Sequence, residues 1–211
     1  MLEEASREGG PDLIFATANK HKLREMRELL PGLDLEPLPE GLELPPEDGE
    51  SYAAIALDKA RTAHAATGMA AIGDDSGIEA ADIDGRPGIH SARYGGPGAT
   101  DEENLEKLLR EVGEAEGDRR AAYHCALALV EEDGSEHLFE ARCEGRLIEV
   151  RRGEGGFGYD PAFVPDATGA DDHRTMSELS QAEKNEISHR GAAARMLAAH
   201  LGTGRVAPGA R

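Results

Sequence analysis

The chain has 211 residues, a length that favours one compact domain over two ordinary ones. A formal net charge of −19 argues against a protein that binds nucleic acid polymers or anionic membranes, because an acidic surface repels their phosphate groups. No apolar stretch is long enough to cross a bilayer, and the acidic first residues lack the apolar core of a secretory signal. We therefore expect a cytoplasmic protein.

The distribution of turn residues and apolar segments predicts how the chain is divided. We expect a flexible amino-terminal tail over residues 1–11, a single α/β domain over residues 12–201 and a disordered tail over residues 202–211. Two cysteines, Cys125 and Cys143, lie in apolar segments. Because two cysteines are too few for a disulfide framework, we expect buried thiols.

The first predicted strand, residues 13–16, leads directly into a predicted helix over residues 20–30, with Asn19 as its cap. A helix amino terminus at the end of a strand presents backbone amides and a positive dipole end, which suits a phosphate group. Lys20 and Lys22 stand beside it. The alternative is a surface helix with two solvated lysines.

A second strand is predicted near residues 33–38, before an acidic loop over residues 39–49 and a helix over residues 51–66 that carries Lys59. A loop with this composition usually lies in solvent without a binding role. Here, however, Glu47 offers a carboxylate that can share a metal ion with another acid of the chain.

Two adjacent acids, Asp74 and Asp75, lie between apolar runs that end at Ile72 and resume at Ile78. The pattern predicts a strand, a sharp acidic turn and a second strand. Because adjacent residues of an extended chain point to opposite sides, both acids can face one ligand only if the turn rotates one of them. We take Asp75 as the working acid and Asp74 as the second. The alternative is ordinary turn composition, in which the carboxylates bond to nearby amides.

The middle of the chain predicts a helix followed by a hairpin. A capping box opens the helix over residues 101–112. Apolar residues 121–130 predict a central strand, which a two-residue turn joins to a strand over residues 137–144. This turn pairs Cys125 with Arg142, which puts the two thiols on opposite faces of the sheet.

A glycine-rich segment, residues 153–158, contains a formal G-x-G-x-x-G match. We reject a dinucleotide-binding interpretation, because Asp160-Pro161 follows directly and no strand–turn–helix unit surrounds the segment. Phe157, Tyr159 and Asp160 instead fit a wall for base stacking with a polar tip. The alternative is a plain glycine-rich turn with core aromatics.

A second capping box predicts helical sequence over residues 181–201, with a break near Ser188. This segment carries Lys184, His189 and Arg190. A lone histidine beside an arginine on a helix is usually solvated, so the segment indicates a function only together with other motifs.

Four separated runs stand out along the chain. They are Thr17-Ala18-Asn19 with Lys22, Asp74-Asp75-Ser76-Gly77, Phe157-Gly158-Tyr159-Asp160, and Ser188-His189-Arg190 preceded by Lys184. In this order they resemble the inosine/xanthosine triphosphate pyrophosphatase family. A further block, Pro87-Gly88-Ile89 with Ser91-Ala92-Arg93-Tyr94, is also similar, and the resemblance covers residues 13–201. It implies an elongated α/β fold in which helices flank a mixed β-sheet, with two lobes and the active-site cleft between them.

The family resemblance also implies an activity. It implies a Mg²⁺-dependent hydrolase that converts deaminated purine nucleoside triphosphates, namely ITP, dITP and XTP, to the monophosphate and pyrophosphate, and so cleanses the nucleotide pool. The substrate is then a small molecule, and the family suggests a homodimer.

Residue roles follow from the same resemblance. Asp75 is expected to bind the metal and to act as proton acceptor, with Glu47 and Asp74 as further metal ligands. Lys22 and Lys59 are expected to act in catalysis by holding the phosphates. The expected substrate-binding residues are Thr17, Ala18, Asn19, Lys20, His21, Lys22, Ser76, Arg93, Phe157, Gly158, Tyr159, Asp160, Lys184, His189 and Arg190.

Two positions depart from the family pattern. Ala18 stands where the family usually has glycine in the phosphate loop, and Ala54-Ile55 stands where it usually has Glu-Asn. Three other functions remain open: a pyrophosphatase of the same fold that acts on modified pyrimidine or methylated nucleotides, a catalytically silent nucleotide-binding protein, and a magnesium-dependent phosphatase acting on monoesters.

Overall fold

A computed structural model describes residues 13–202 of the chain. Within this range one mixed sheet has the strands β1 (Leu13–Ala16), β2 (Leu35–Pro37), β3 (Ala71–Ala80), β4 (Arg120–Val130), β5 (Glu136–Leu147) and β6 (Phe163–Pro165). The strand order is β2-β1-β3-β4-β5-β6. β1 is parallel to β2 and β3, whereas the other neighbours are antiparallel. The α-helices are α1 (Lys20–Leu29), α2 (Tyr52–Thr67), α3 (Asp101–Glu114), α4 (Gln181–Ile187) and α5 (His189–His200).

Strand alternation gives the sheet two different faces. Ile72 of β3 and Leu127 of β4 belong to a core that also contains side chains of α1 and α5. Their neighbours in sequence, Ala71 and Ala126, pack instead with α2. The sheet is therefore covered by α1 and α5 on one face and by α2 on the other.

A second core lies toward the other end of the long strands. Ile78, Tyr123 and Phe163 pack there with Leu108 of α3. β3, β4 and β5 are long enough to contribute side chains to both cores. The predicted α/β class with a mixed sheet flanked by helices is confirmed.

The helix starts follow the predicted capping residues. Asn19 Oδ1 accepts hydrogen bonds from the backbone amides of His21 and Lys22, which caps α1. Ser188 is extended, ends α4 and caps α5 through a hydrogen bond from the Gly191 amide. The predicted break near Ser188 is thereby confirmed.

The prediction of a sharp turn at Asp74 and Asp75 is wrong. Asp74 and Asp75 lie inside β3, which runs without interruption from Ala71 to Ala80 and pairs with β4 throughout. Ten ladder partners in β4 hold the backbone extended, and this pairing outweighs the turn preference of an Asp-Asp-Ser-Gly sequence.

The predicted hairpin register is wrong by one residue. The connection between β4 and β5 spans residues 131–135, so Cys125 lies opposite Ala141, and Tyr123 lies opposite Cys143. Opposite residues share a face, which puts Cys125 and Cys143 on the same face. Both thiols are buried and unpaired, as predicted.

The predicted tail over residues 1–11 lies outside the described residues, as does all of the carboxy-terminal tail except Gly202. Among residues 13–202, no helix has the length and apolar character required to cross a membrane.

Candidate active site

The candidate site forms where β3 loses its parallel neighbour. β1 pairs with β3 only as far as Ala16 and Gly73. Beyond that point a short 3₁₀ helix, Gly88–Arg93, lies beside β3, and the amide of Ile78 donates to Ser91 Oγ at 2.9 Å. A cavity of about 370 Å³ lies along this edge. Because no strand of residues 13–202 covers the edge here, side chains from both faces of the sheet reach the same cavity.

Asp75 projects toward α2 and lines the cavity. Its Oδ1 accepts a hydrogen bond from Lys59 Nζ at 3.1 Å, and Lys59 also donates to Glu47 Oε1 at 2.5 Å. Its Oδ2 is buried and has no hydrogen-bond partner in the described part of the chain. Burial raises the pKa of Asp75 although Lys59 and Lys22 oppose it. The side chain thus has one carboxylate oxygen available for a metal ion or a proton.

Two glycines of β3 permit the close approach of these groups. A Cβ at Gly73 would lie 1.9 Å from the carbonyl oxygen of Ala56 in α2, and a Cβ at Gly77 would lie 2.4 Å from the carbonyl oxygen of Gly88. Since Lys59 is one helical turn after Ala56, close packing of α2 on Gly73 brings its amine to Asp75.

Asp74 projects to the opposite face and is fully buried. Its Oδ1 accepts from Lys22 Nζ, and its Oδ2 accepts from Arg190 Nε at 2.9 Å. Burial opposes ionisation, but Arg190 and Lys22 outweigh it and hold the pKa of Asp74 far below its usual range. Asp74 is therefore an anion that orients two cations, one from α1 and one from α5.

Glu25 extends this buried network, and the sequence analysis missed it. Its two carboxylate oxygens accept from Lys184 Nζ at 2.6 Å and from Arg190 Nη1 at 2.8 Å. Lys184 donates as well to Asp160 Oδ2 at 2.7 Å. Glu25 follows Lys22 by three residues on α1, so the two share a helix face, and this spacing was the available signal.

An aromatic wall closes one side of the cavity. The Phe157 ring stacks on the His21 ring at a centroid distance of 5.3 Å, and Lys184 Nζ lies 5.0 Å from the Phe157 centroid. The backbone amide of Phe157 donates to Asp160 Oδ2 at 3.0 Å. Asp160 therefore fixes the loop from within, and the ring of Phe157 is presented to the cavity.

His189 lies at the same side of the cavity. Its ring stacks on Tyr123 with centroids 4.6 Å apart and planes 4° apart. Burial, followed by the charges of Arg190 and Lys184, lowers the pKa of His189 well below its ordinary value, so the ring is neutral at pH 7. Its Nδ1 is buried and makes no hydrogen bond within residues 13–202. A neutral imidazole nitrogen can donate or accept according to its tautomer.

The cavity brings together most of the predicted site residues but not all of them. Asp74 lies beneath the lining, His21 stands behind Phe157, Lys20 borders a neighbouring groove, and Arg93 donates to Glu47 Oε2 at 3.0 Å. The predicted residues in the lining are Thr17, Ala18, Asn19, Lys22, Glu47, Lys59, Asp75, Ser76, Phe157, Gly158, Tyr159, Asp160, Lys184, His189 and Arg190. The lining also contains residues outside the predicted set. Four of them, Gly77, Ile89, Ser91 and Ala92, belong to the family motifs, and the others are Leu44, Pro45, Asp101 and Tyr123.

Comparison with known proteins identifies the family that shares this fold. The model of the Ham1 family matches residues 13–200. The chain belongs to the Ham1 family. A relative from Geobacter sulfurreducens named dITP/XTP pyrophosphatase is 43% identical over 196 residues, which cover 90% of this chain and 96% of that protein. A dITP/XTP pyrophosphatase from Symbiobacterium thermophilum is 44% identical over 84% of this chain and 88% of its own length.

Solved structures agree with this family assignment. A HAM1 protein from Coxiella burnetii has a TM-score of 0.81 and 37% sequence identity, and the match covers 92% of this chain and 99% of that one. A nucleoside-triphosphatase / dITP/XTP pyrophosphatase from Mycobacterium abscessus has a TM-score of 0.69 and 38% identity, with 90% of this chain covered and 98% of its own. The predicted family and fold of this Ham1 protein are both confirmed.

Proposed function

We propose that this chain hydrolyses the triphosphates of deaminated purine nucleosides (ITP, dITP and XTP) to the nucleoside monophosphate and pyrophosphate. The observation that carries the proposal is a pair of buried polar atoms in one cavity, Asp75 Oδ2 and His189 Nδ1, both without a partner among the described residues. The first suits a metal ion or the proton of an attacking water, and the second suits a purine edge. The name dITP/XTP pyrophosphatase, which relatives carry, supports the same substrates.

In this mechanism Asp75 accepts the proton of a water molecule that attacks the α-phosphorus. The bond from the α-phosphorus to the oxygen bridging to the β-phosphorus breaks, and pyrophosphate leaves with that oxygen. A carboxylate with a raised pKa is a better proton acceptor near neutral pH than an ordinary one. Lys59 and Lys22 stand on either side of this strand and supply positive charge where negative charge develops.

A divalent cation fits the side of the cavity that α2 covers, and we propose Mg²⁺. Asp75 and Glu47 would hold it, because they offer the oxygen donors that Mg²⁺ prefers and Asp75 Oδ2 has no other partner in the described chain. When bound, the ion supplies a lowered pKa for the attacking water and charge compensation for the phosphates. Both oxygens of Glu47 accept from cations, Lys59 and Arg93, but its side chain is about a third exposed and lines the cavity. Asp74 is the weakest of the three predicted ligands, because it is fully buried beneath the lining and both of its oxygens accept from Lys22 and Arg190.

The other side of the cavity would select the base. Phe157 offers a ring for stacking, while Lys184 and Arg190 are donors held in place by the buried acids Glu25 and Asp74. Hypoxanthine and xanthine carry a 6-oxo acceptor where adenine carries an amino donor. Leaving a buried donor unpaired costs about 1–3 kcal/mol, so we expect adenine to be disfavoured by roughly 10- to 100-fold.

We also propose that the protein acts as a homodimer on the nucleotide pool of the cytoplasm. The family resemblance supports the dimer, and the acidic composition suits a protein that does not bind polyanions. Light scattering after size exclusion measures the mass directly, and a mass of one chain would contradict the dimer.

Product analysis tests the activity. ITP, dITP, XTP, GTP and ATP are each incubated with the protein, with and without Mg²⁺, and the products are separated by anion-exchange chromatography. We expect monophosphate and pyrophosphate from ITP, dITP and XTP only when Mg²⁺ is present. Release of orthophosphate from a nucleoside monophosphate, tested in parallel, would indicate a monoester phosphatase, and binding of ITP without cleavage would indicate a silent nucleotide-binding protein. Preferential cleavage of modified pyrimidine triphosphates would indicate the related pyrophosphatase.

A further inference from the structure

Three metal-ligating side chains converge far from the candidate active site. They are Glu131 directly after β4, His137 in β5 and His200 at the end of α5. Glu131 Oε1 lies 3.0 Å from His137 Nε2 and 3.0 Å from His200 Nε2. One ligand atom from each side chain lies within 4.8 Å of the other two.

These separations are close to those of a metal-bound set. Four ligands at about 2.0–2.1 Å around a tetrahedral zinc ion stand roughly 3.3 Å from one another. Both carboxylate–imidazole separations are therefore within a few tenths of an ångström of a tetrahedral edge. The third edge joins the ligand nitrogens of His137 and His200, whose ring centroids are 4.1 Å apart. A slight rotation of the two rings would bring these nitrogens to the same spacing.

The surroundings favour a cation. The same hairpin carries three further acids, Glu132, Asp133 and Glu136, and of these Glu136 is paired with Arg61. The His200 ring also lies beside Phe139, with centroids 5.6 Å apart, which supports the ring from one side.

We propose that Glu131, His137 and His200 form a binding site for a divalent transition metal ion, with zinc as the best match. Two imidazoles with one carboxylate suit zinc far better than Mg²⁺, which prefers oxygen ligands alone. All three side chains are partly exposed, so an ion can enter from solvent and a water molecule can complete the coordination.

The site is separate from the proposed catalytic cavity. None of its three residues lines that cavity. His189 and His200 are the two ends of α5, and a rise of about 1.5 Å per residue puts them roughly 16 Å apart. A bound metal ion would cross-link the last turn of α5 to the β4–β5 hairpin. The first turn of the same helix carries His189 and Arg190, which line the cavity.

The test compares the full chain, free of any affinity tag, with a His200→Ala variant and a matched control, His173→Ala. His173 is an exposed histidine that contacts Arg146, away from the cluster. Each protein is stripped with a chelator, returned to buffer with excess Mg²⁺ so that hard oxygen sites are filled, and dialysed against zinc. Bound zinc is measured by elemental analysis, and thermal unfolding is measured with and without zinc.

We expect one zinc per chain in the native protein and in His173→Ala, and less than a tenth of that in His200→Ala. Zinc at a hundredfold excess over its dissociation constant should raise the unfolding temperature of the first two by about 5–10 °C and leave His200→Ala unchanged. Glu131→Gln and His137→Ala should behave as His200→Ala does. Equal zinc binding by His200→Ala, or no zinc retained by the native chain, would overturn the proposal, and both outcomes are independent of nucleotide hydrolysis.

Discussion

Asp74 and Asp75 are neighbours in sequence and have opposite surroundings. Asp74 faces α1 and α5, and both of its oxygens accept from cations. Asp75 faces α2, and one of its oxygens has no partner among the described residues. Burial raises the pKa of Asp75, whereas for Asp74 the paired cations outweigh burial and lower it. The same residue type is thus a structural anion on one face of a strand and a reactive group on the other.

The two acids show how a single strand can supply charged groups to two sides of one cavity. Alternation along β3 sends successive side chains to opposite faces, and the early end of β1 leaves the edge open to both. The α2 face therefore contributes the acid and Lys59, whereas the α5 face contributes the cations beside Phe157. The largest effects should come from exchanging the two acids for amides.

Asp74→Asn should cost about 3–5 kcal/mol of unfolding free energy, because it leaves the buried Arg190 and the half-buried Lys22 with one charged partner fewer. Urea denaturation followed by circular dichroism measures this. Asp58→Asn is the control, since Asp58 makes only an exposed ion pair and should change stability by less than about 0.5 kcal/mol. A urea midpoint for Asp74→Asn equal to that of the native protein would contradict a structural role for Asp74.

Asp75→Asn should lower kcat for ITP by roughly a hundredfold or more, because an amide cannot accept the proton of the attacking water. Its unfolding free energy should stay within about 1 kcal/mol of the native value, since Lys59 keeps its partner Glu47. Steady-state kinetics and urea denaturation measure the two effects on one preparation. Full activity, or a loss of stability equal to that of Asp74→Asn, would contradict the assignment.

Glu25→Gln tests the buried charge network on the α1 and α5 side of the sheet at a second residue. It should lower the free energy of unfolding by about 1–3 kcal/mol at neutral pH. Burial opposes ionisation of Glu25, but Arg190 and Lys184 outweigh it and lower its pKa. A lowered folded-state pKa stabilises the fold above the unfolded value of about 4.3, and this contribution is lost as the pH falls through the folded value. The stability gap between native and variant should therefore narrow below about pH 4. A gap that stays constant at every pH would show that the charge of Glu25 is unimportant.

His189→Phe should raise KM for ITP by about tenfold and leave the unfolding temperature within a few degrees of the native one. The new ring keeps the stacking on Tyr123 but removes the polar atoms that we expect the purine to contact. His173→Phe, at an exposed position, should change neither value. An unchanged KM for His189→Phe would remove this histidine from the substrate site.

Local sequence patterns predicted the elements well, because helix caps act over a few residues. The predicted cap at Asn19 and the predicted capping box at the start of α3 are both found. Motif order identified the family and most residues of the cavity lining. Motifs did not reveal Tyr123, which lines the cavity, or Glu25, which holds Lys184 and Arg190 from beneath it.

The amino-acid sequence by itself determined the class of fold, the helix boundaries and the residue types available for chemistry, because capping and apolar periodicity are local properties. The tertiary structure alone decided the extended course of β3 and the register of the hairpin. It also decided which acid is neutralised. Sheet pairing overrode the local turn preference of Asp74 and Asp75, and contacts from α1, α2 and α5, distant in sequence, set the charge environment of each.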